Sequence, residues 1–386
     1  MSYLSFDSLV VSDREIVDML ESQRQRVSNA KMLAYLRQRG IICSNSDSRE
    51  TLVEYIASLS IDWHLIEDIL SLAQSTENQQ KVTAQTIKIS DKGALDKTLK
   101  ELAEIYNHKG FVINETQNSF DIDYSNEIIE KNNTRLIQRK SKDEKINIKV
   151  SGDEVTILNT VGEGTEPVMQ RLIHELEKNT KSTIETRIID FSSIYDSEII
   201  NDFFLNLIDL DDKYIRDDVI RIKFNNFNSN KVKEIDFEDD LEILNELTID
   251  ENIDNDDQIS ILKPKPQNNL GDIRSALLSG SSLLTSDFFK KFADQGYFIS
   301  LIRWKVREKN QPFRTYEFSA SFDQSDLRKS FIFEANKYYK YDKSTGSAQK
   351  THQKWKGNEK NQMELKLHKI ALSLYDQTIL KSASGG

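Results

Sequence analysis

Tyr297–Lys309 reads YFISLIRWKVREK. From Ile302 onward apolar and charged residues alternate strictly, and a period of two is that of a β-strand. The alternation puts Ile302, Trp304 and Val306 on one face and Arg303, Lys305, Arg307 and Lys309 on the other. Two runs of the same kind follow, FRTYEFSASF at 313–322 and SFIFEANKYYKYD at 330–342. Together they predict a three-stranded antiparallel sheet. Helical patterns flank it, LGDIRSALLSG and TSDFFKKFADQG before the strands and QMELKLHKIALSLYDQTIL after them.

Upstream lies the opposite of this basic sheet. Glu234–Asp257, EIDFEDDLEILNELTIDENIDNDD, holds twelve acidic residues and no Lys or Arg. Lys263–Gly386 carries 22 Lys+Arg against 12 Asp+Glu, a balance of +10, so a chain of net charge −11 leaves −21 for residues 1–262. Such segregation describes a basic domain tethered to an acidic strap and makes a polyanion the natural partner. The strap's composition suits a solubilising connector, or a decoy competing for the basic sheet. An EF-hand reading of Asp250, Asn252, Asp254 and Asp256 fails, because Asn255 and Ile261 stand where that loop needs Gly and Glu.

Residues 93–226 alternate between helix and strand patterns. ALDKTLKELAEIYN is amphipathic, INIKV and EVTILNTV read as a hairpin, and EPVMQRLIHELEKNT as a helix. TIETRIIDF (strand), SEIINDFFLNLI (helix) and DVIRIKF (strand) complete the region. The expected fold class is therefore α+β. An N-terminal helical module (1–78) and a polar linker (79–92) precede a central α/β domain with a small mixed sheet (93–226). An acidic strap and joint (227–270) lead to a basic α+β domain (271–381), its three-stranded antiparallel sheet flanked by helices, and SASGG at 382–386 reads as an appended tail.

The N-terminal helices carry a second basic group. AKMLAYLRQRG places Leu33, Leu36, Arg37, Arg39, Gly40 and Ile41 before a short loop, and RETLVEYIASL follows with Arg49, Leu52, Val53 and Ile56. The order, an apolar helix ending basic-x-basic-Gly-apolar and then basic-x-x-Leu, resembles the SAP-type helix–loop–helix. The resemblance covers about thirty residues, and the loop CysSerAsnSerAspSer lacks the glycine common there. It implies contact with DNA through Arg37, Arg39 and Arg49, and a setting in bacterial DNA processing, mobile elements or defence against phage.

Further candidates for nucleic-acid contact are Arg314, Arg328, Lys329, Lys337, Lys340, Lys354 and Lys356, with Tyr316, Tyr338, Tyr339, Tyr341 and Trp355 as stacking surfaces. No catalytic signature accompanies them. Gly162-x-Gly164 lacks the third glycine of a dinucleotide fingerprint, and five scattered histidines show no metal-ligand spacing, so no cofactor or metal is expected. Glu364-Leu365-Lys366 has an E-x-K spacing within a helical pattern. One cysteine, no apolar run of membrane-spanning length and no signal-peptide layout at the N-terminus point to the cytoplasm. The leading expectation is a nucleic-acid-binding accessory protein, DNA before RNA. A protein adaptor within a larger assembly and a divergent metal-dependent nuclease are the alternatives.

Overall fold

The computed structural model describes residues 11–59, 63–73, 81–227 and 275–384, apart from positions 90, 117, 130–131, 163, 281, 311–312, 354 and 356–357. The acidic strap, Lys354 and Lys356 lie outside the described residues.

Four helices open the chain: α1 (Asp13–Ser22), α2 (Asn29–Gln38), α3 (Arg49–Ala57) and α4 (Trp63–Ala73). Ser12, Ser28 and Ser48 cap the first three, each hydroxyl accepting a backbone N–H of the first turn. Gly40 ends α2 at φ +77°, and the Ile41 N–H returns to the Leu36 carbonyl. Ile16, Leu20, Met32, Leu36, Leu52 and Ile56 form the core of this bundle. Leu136 and Ile137, from the connection between two later strands, complete that core, and Arg135 pairs with Glu15 beside it.

The small mixed sheet and the separate three-stranded sheet are corrected by one eleven-stranded sheet whose pairings are all antiparallel. Its first half comprises β1 (Val82–Lys88), β2 (Val112–Thr116), β3 (Ser119–Ile129), β4 (Arg139–Ser151), β5 (Glu154–Thr160) and the two-residue β6 (Thr186–Arg187). Its second half comprises β7 (Tyr214–Asn225), β8 (Ser275–Ser279), β9 (Phe298–Glu308), β10 (Thr315–Gln324) and β11 (Lys329–Tyr339). The order β2-β3-β4-β5-β1-β11-β10-β9-β7-β8 runs unbroken, with β6 beside β1. A minor ribbon pairs β12 (Tyr341–Asp342) with β13 (Ser347–Ala348).

The cause of the correction is local. Residues 79–92, read as a polar linker, contain β1, whose Val82 and Ala84 are buried while Thr83 and Gln85 alternate with them. β1 pairs with β5 over seven residues and with β11 through Val82↔Phe333 and Thr83↔Ile332. That pairing joins the halves. Residues 275–279, read as part of a helix, pair with β7 as a strand, and within TIETRIIDF only Thr186–Arg187 forms one.

The halves carry their helices on opposite faces. In the first, α5 (Lys92–Ile105) and α6 (Thr165–Thr180) cover Ile87, Phe120, Ile122, Ile146, Ile148 and Ile157. In the second, α7 (Ser197–Leu207), α8 (Asp287–Asp294) and α9 (Glu359–Ser384) cover the other face, burying Ile302, Trp304, Val306, Phe318, Phe331 and Phe333. Val82, Ala84 and Leu158 belong to this second core, so the register carries the helix-covered side of the second half onto the side of the first that α5 and α6 leave open.

α9 straddles the seam. His368 Nε2 meets Thr86 Oγ1 of β1 at 3.1 Å, and its ring stacks on Phe333 of β11. Glu364 accepts the Ala335 N–H at 3.3 Å, where β11 has lost β1 as a neighbour. The Gln353 N–H and Trp355 Nε1 reach the Tyr338 and Asn336 carbonyls further along, so side chains and a loop cover this edge.

Candidate nucleic-acid interface

The face of the second half opposite α7, α8 and α9 is built row by row from the register. One row runs Lys337, Glu317, Lys305, Asp218 across β11, β10, β9 and β7. The next runs Glu334, Ser319, Arg303, Arg221, and Arg307 and Tyr339 both lie opposite Thr315. Lys223 stands opposite Leu301. Arg221, Lys223, Arg303, Lys305, Arg307 and Lys337 thus share the face with Asp218, Glu317, Asp323 and Glu334, six cations against four carboxylates among the described residues. Most of the apolar core of this half lies on the other side, although Ile332 is buried on this one.

The cations differ in their freedom to meet a ligand. Arg303 is anchored, its Nε donating to Glu317 Oε1 at 2.6 Å and its Nη2 paired with the same carboxylate. Arg221 is buried beside it, and burial followed by the Arg303 charge holds its pKa below the usual guanidinium value. Lys305 lies over the Tyr339 ring at 5.2 Å and Arg307 over Phe313 at 5.1 Å, both half-buried with long stems on aromatic surface. Tyr339 also donates its hydroxyl to Glu317 Oε2 at 3.1 Å. Lys309 is exposed just past the end of β9.

The remaining candidates scatter. Arg314 sits over Tyr338 at 5.4 Å and reaches Glu359 at 3.6 Å, while Lys329 and Lys340 are exposed at either end of β11. Arg328 is buried: it donates to the carbonyls of Phe191, Ser192 and Asp326 and lies against Tyr195, Phe227 and Phe298. Its guanidinium holds a loop. Tyr316 and Tyr338 are core residues, and Trp355 stacks on Tyr316.

In the N-terminal module the three arginines do different things. Arg37 is exposed in the last turn of α2. Arg39 stacks on Tyr35 at 4.1 Å and pairs with Asp68 at 2.6 Å. Arg49 turns inward, donating to the carbonyls of Leu20 and Val27 at 2.6 Å each. These bonds tie the start of α3 to the end of α1.

Sequence reasoning missed Arg221 and Lys223, although DVIRIKF repeats the signal that exposed β9: Arg221 and Lys223 alternate with buried Ile222 and Phe224. Glu364 and Lys366 diverge, Glu364 onto the β11 edge and Lys366 onto Asp211 at 2.8 Å. Among the described residues no three His, Cys, Asp or Glu gather as a metal ion would require, and no helix is long and apolar enough to cross a membrane. No known protein family matches this sequence, nor does any curated protein.

Proposed function

We propose that this chain is a cytoplasmic nucleic-acid-binding accessory protein without a catalytic centre of its own, binding DNA in preference to RNA through the basic face of the second half-sheet. The supporting observation is the gathering of six cations from β7, β9 and β11 onto one face. Attraction between such a face and phosphates is independent of base sequence and weakens with salt as counterions are released. The SAP-like resemblance supports a setting in bacterial DNA processing, mobile elements or defence against phage, with Arg37 as the accessory contact of the helical module. The test is an electrophoretic shift series on DNA and RNA between about 50 and 200 mM salt. A steep fall of affinity with salt supports this reading. Absence of any shift at the lowest salt overturns it in favour of an adaptor for an acidic protein.

A further inference from the structure

We infer that the hairpin from Lys340 to Lys350 is an arm that enters the major groove of duplex DNA. The inference rests on the nucleic-acid reading above and adds to it a contact element outside the sheet face. β12 and β13 pair through Tyr341↔Ala348 and Asp342↔Ser347, and the Gln349 N–H donates to the Lys340 carbonyl at 2.8 Å, so the ribbon continues one step towards β11. Gly346, at φ +68°, closes the tip, its N–H returning to the Asp342 carbonyl at 2.9 Å. Tyr341 roots the arm. Its ring meets Phe313 at 4.7 Å, and the Arg307 guanidinium lies over that same Phe313 ring, at the end of the basic face.

The cations of the arm differ from those of the face. Lys340, Lys343 and Lys350 are exposed, and among the described residues no carboxylate pairs with them. The one acid of the arm, Asp342, is occupied by its own turn, accepting the Ser344 N–H at 2.8 Å and the Ser344 hydroxyl at 2.6 Å. The tip, Lys343 through Ser347, is exposed throughout and otherwise small and hydroxylic. Dimensions favour a groove. The major groove of B-DNA is about 12 Å wide and about 8.5 Å deep and admits a two-stranded ribbon. Strands about 4.8 Å apart fit that width, and three residue steps of about 3.3 Å carry Lys343 about 10 Å beyond Lys340. Lys340 and Lys350, at the base of the arm, then stand level with the phosphates. Lys309 is exposed at the same end of the sheet, since Thr315 pairs with both Arg307 and Tyr339. The deep, narrow major groove of A-form RNA excludes such a ribbon, which gives the preference for DNA a physical cause.

The test is fluorescence anisotropy on the full chain with one duplex made as DNA and as RNA, followed by dimethyl sulfate footprinting of the bound DNA. The DNA duplex is expected to bind about tenfold or more tightly than the RNA duplex, with guanine N7 in the major groove protected and adenine N3 in the minor groove still reactive. Lys340→Gln, Lys343→Gln and Lys350→Gln together are expected to lower DNA affinity about tenfold or more, flatten the log–log salt slope by about 2–3 and abolish the N7 protection. Thr345→Glu, which adds one acid at the exposed tip, is expected to lower affinity in the same direction. Lys88→Gln, Lys145→Gln and Lys149→Gln, the same loss of charge on the first half of the sheet, are expected to leave it unchanged. A triple arm variant that binds as tightly as the parent, or guanine N7 left reactive in the complex, overturns the inference and leaves the nucleic-acid reading standing. Failure of every duplex to bind at low salt overturns both.

Discussion

Away from the seam, the described helices cover one face of each half of the sheet, and the two opposite faces differ in charge. On the first half that face carries Asp121, Asp123, Glu127, Asp143 and Glu154 with Lys88, Lys145 and Lys149. Lys145 lies 3.8 Å from Asp123, Asn147 donates to Asp121 and Ser125 to Asp143 at 2.7 Å, so opposing strands largely answer one another. On the second half six cations stand against four carboxylates among the described residues. The first shows what a sheet face needs merely to meet water, and the second carries an excess of one sign that favours a polyanion.

The largest expected effect sharpens this contrast directly. Lys305→Glu with Arg307→Glu should cut nucleic-acid affinity at low salt by about a hundredfold and flatten the log–log salt slope by about 1.4–1.8. Lys145→Glu with Lys149→Glu, the same charge change on the other open face, should leave affinity and slope unchanged. An equal loss in both variants would mean that net charge, not the face, governs binding.

Arg49→Ala comes next and concerns stability. Removing two charge-assisted bonds to backbone carbonyls should cost about 2–4 kcal/mol by denaturant unfolding, with affinity of the folded protein unaltered. A normal melt with weakened DNA binding would return Arg49 to the list of phosphate contacts.

The seam offers a pair of opposite slopes. Burial pushes the Glu364 carboxyl up to about 7 despite Lys360 nearby, with the buried Glu334 adding to the rise. Its folded pKa thus exceeds the ordinary value, so the stability it leaves intact below about pH 4.5 is lost as pH rises through 7. Burial, then Lys369 and Arg187, lower His368 to about 4, so stability present above about pH 6.5 is lost as pH falls through 4. Between about 4.5 and 6.5 the two oppose each other. Glu364→Gln should gain up to about 3 kcal/mol at pH 8 and lose stability on acidification, and His368→Gln should show the reverse slope. Parallel slopes in thermal melts of the two variants would refute the assignment. The smallest effect is Arg37→Ala, expected to reduce the salt slope for duplex DNA by about 0.9 with the fold intact.

The strands of the second half were legible because charge and apolarity alternate in them without interruption. β1 was not: VTAQTIK offers only three apolar residues, Val82, Ala84 and Ile87, among hydroxyl and amide side chains, close after the polar run SerThrGluAsnGlnGln. Its strand state comes from neighbours contributed by distant parts of the chain. β3 passed unread although Phe120, Ile122 and Tyr124 alternate, and β8 resembles a helix because Ala276, Leu277 and Leu278 are good helix formers, overridden by pairing with β7. The basic face was read on β9 and missed on β7. Arg49 and Arg328 looked like surface cations because nothing local reveals a carbonyl partner 29 or 136 residues away.

The seam between the halves also sets an order of events during synthesis. β1 emerges early, and β5, its neighbour on one side, follows within about eighty residues. Its other edge waits for β11, 248 residues later at the Thr83–Phe331 contact, and for His368, 282 residues beyond Thr86. Until β11 has been made, the first half presents an unpaired strand edge at Val82 and Thr83 to every other nascent copy. Truncation before β11 would therefore leave a chain whose first half is already paired and whose free edge invites association, so that yield in the cell depends on a strand made about 250 residues after its partner.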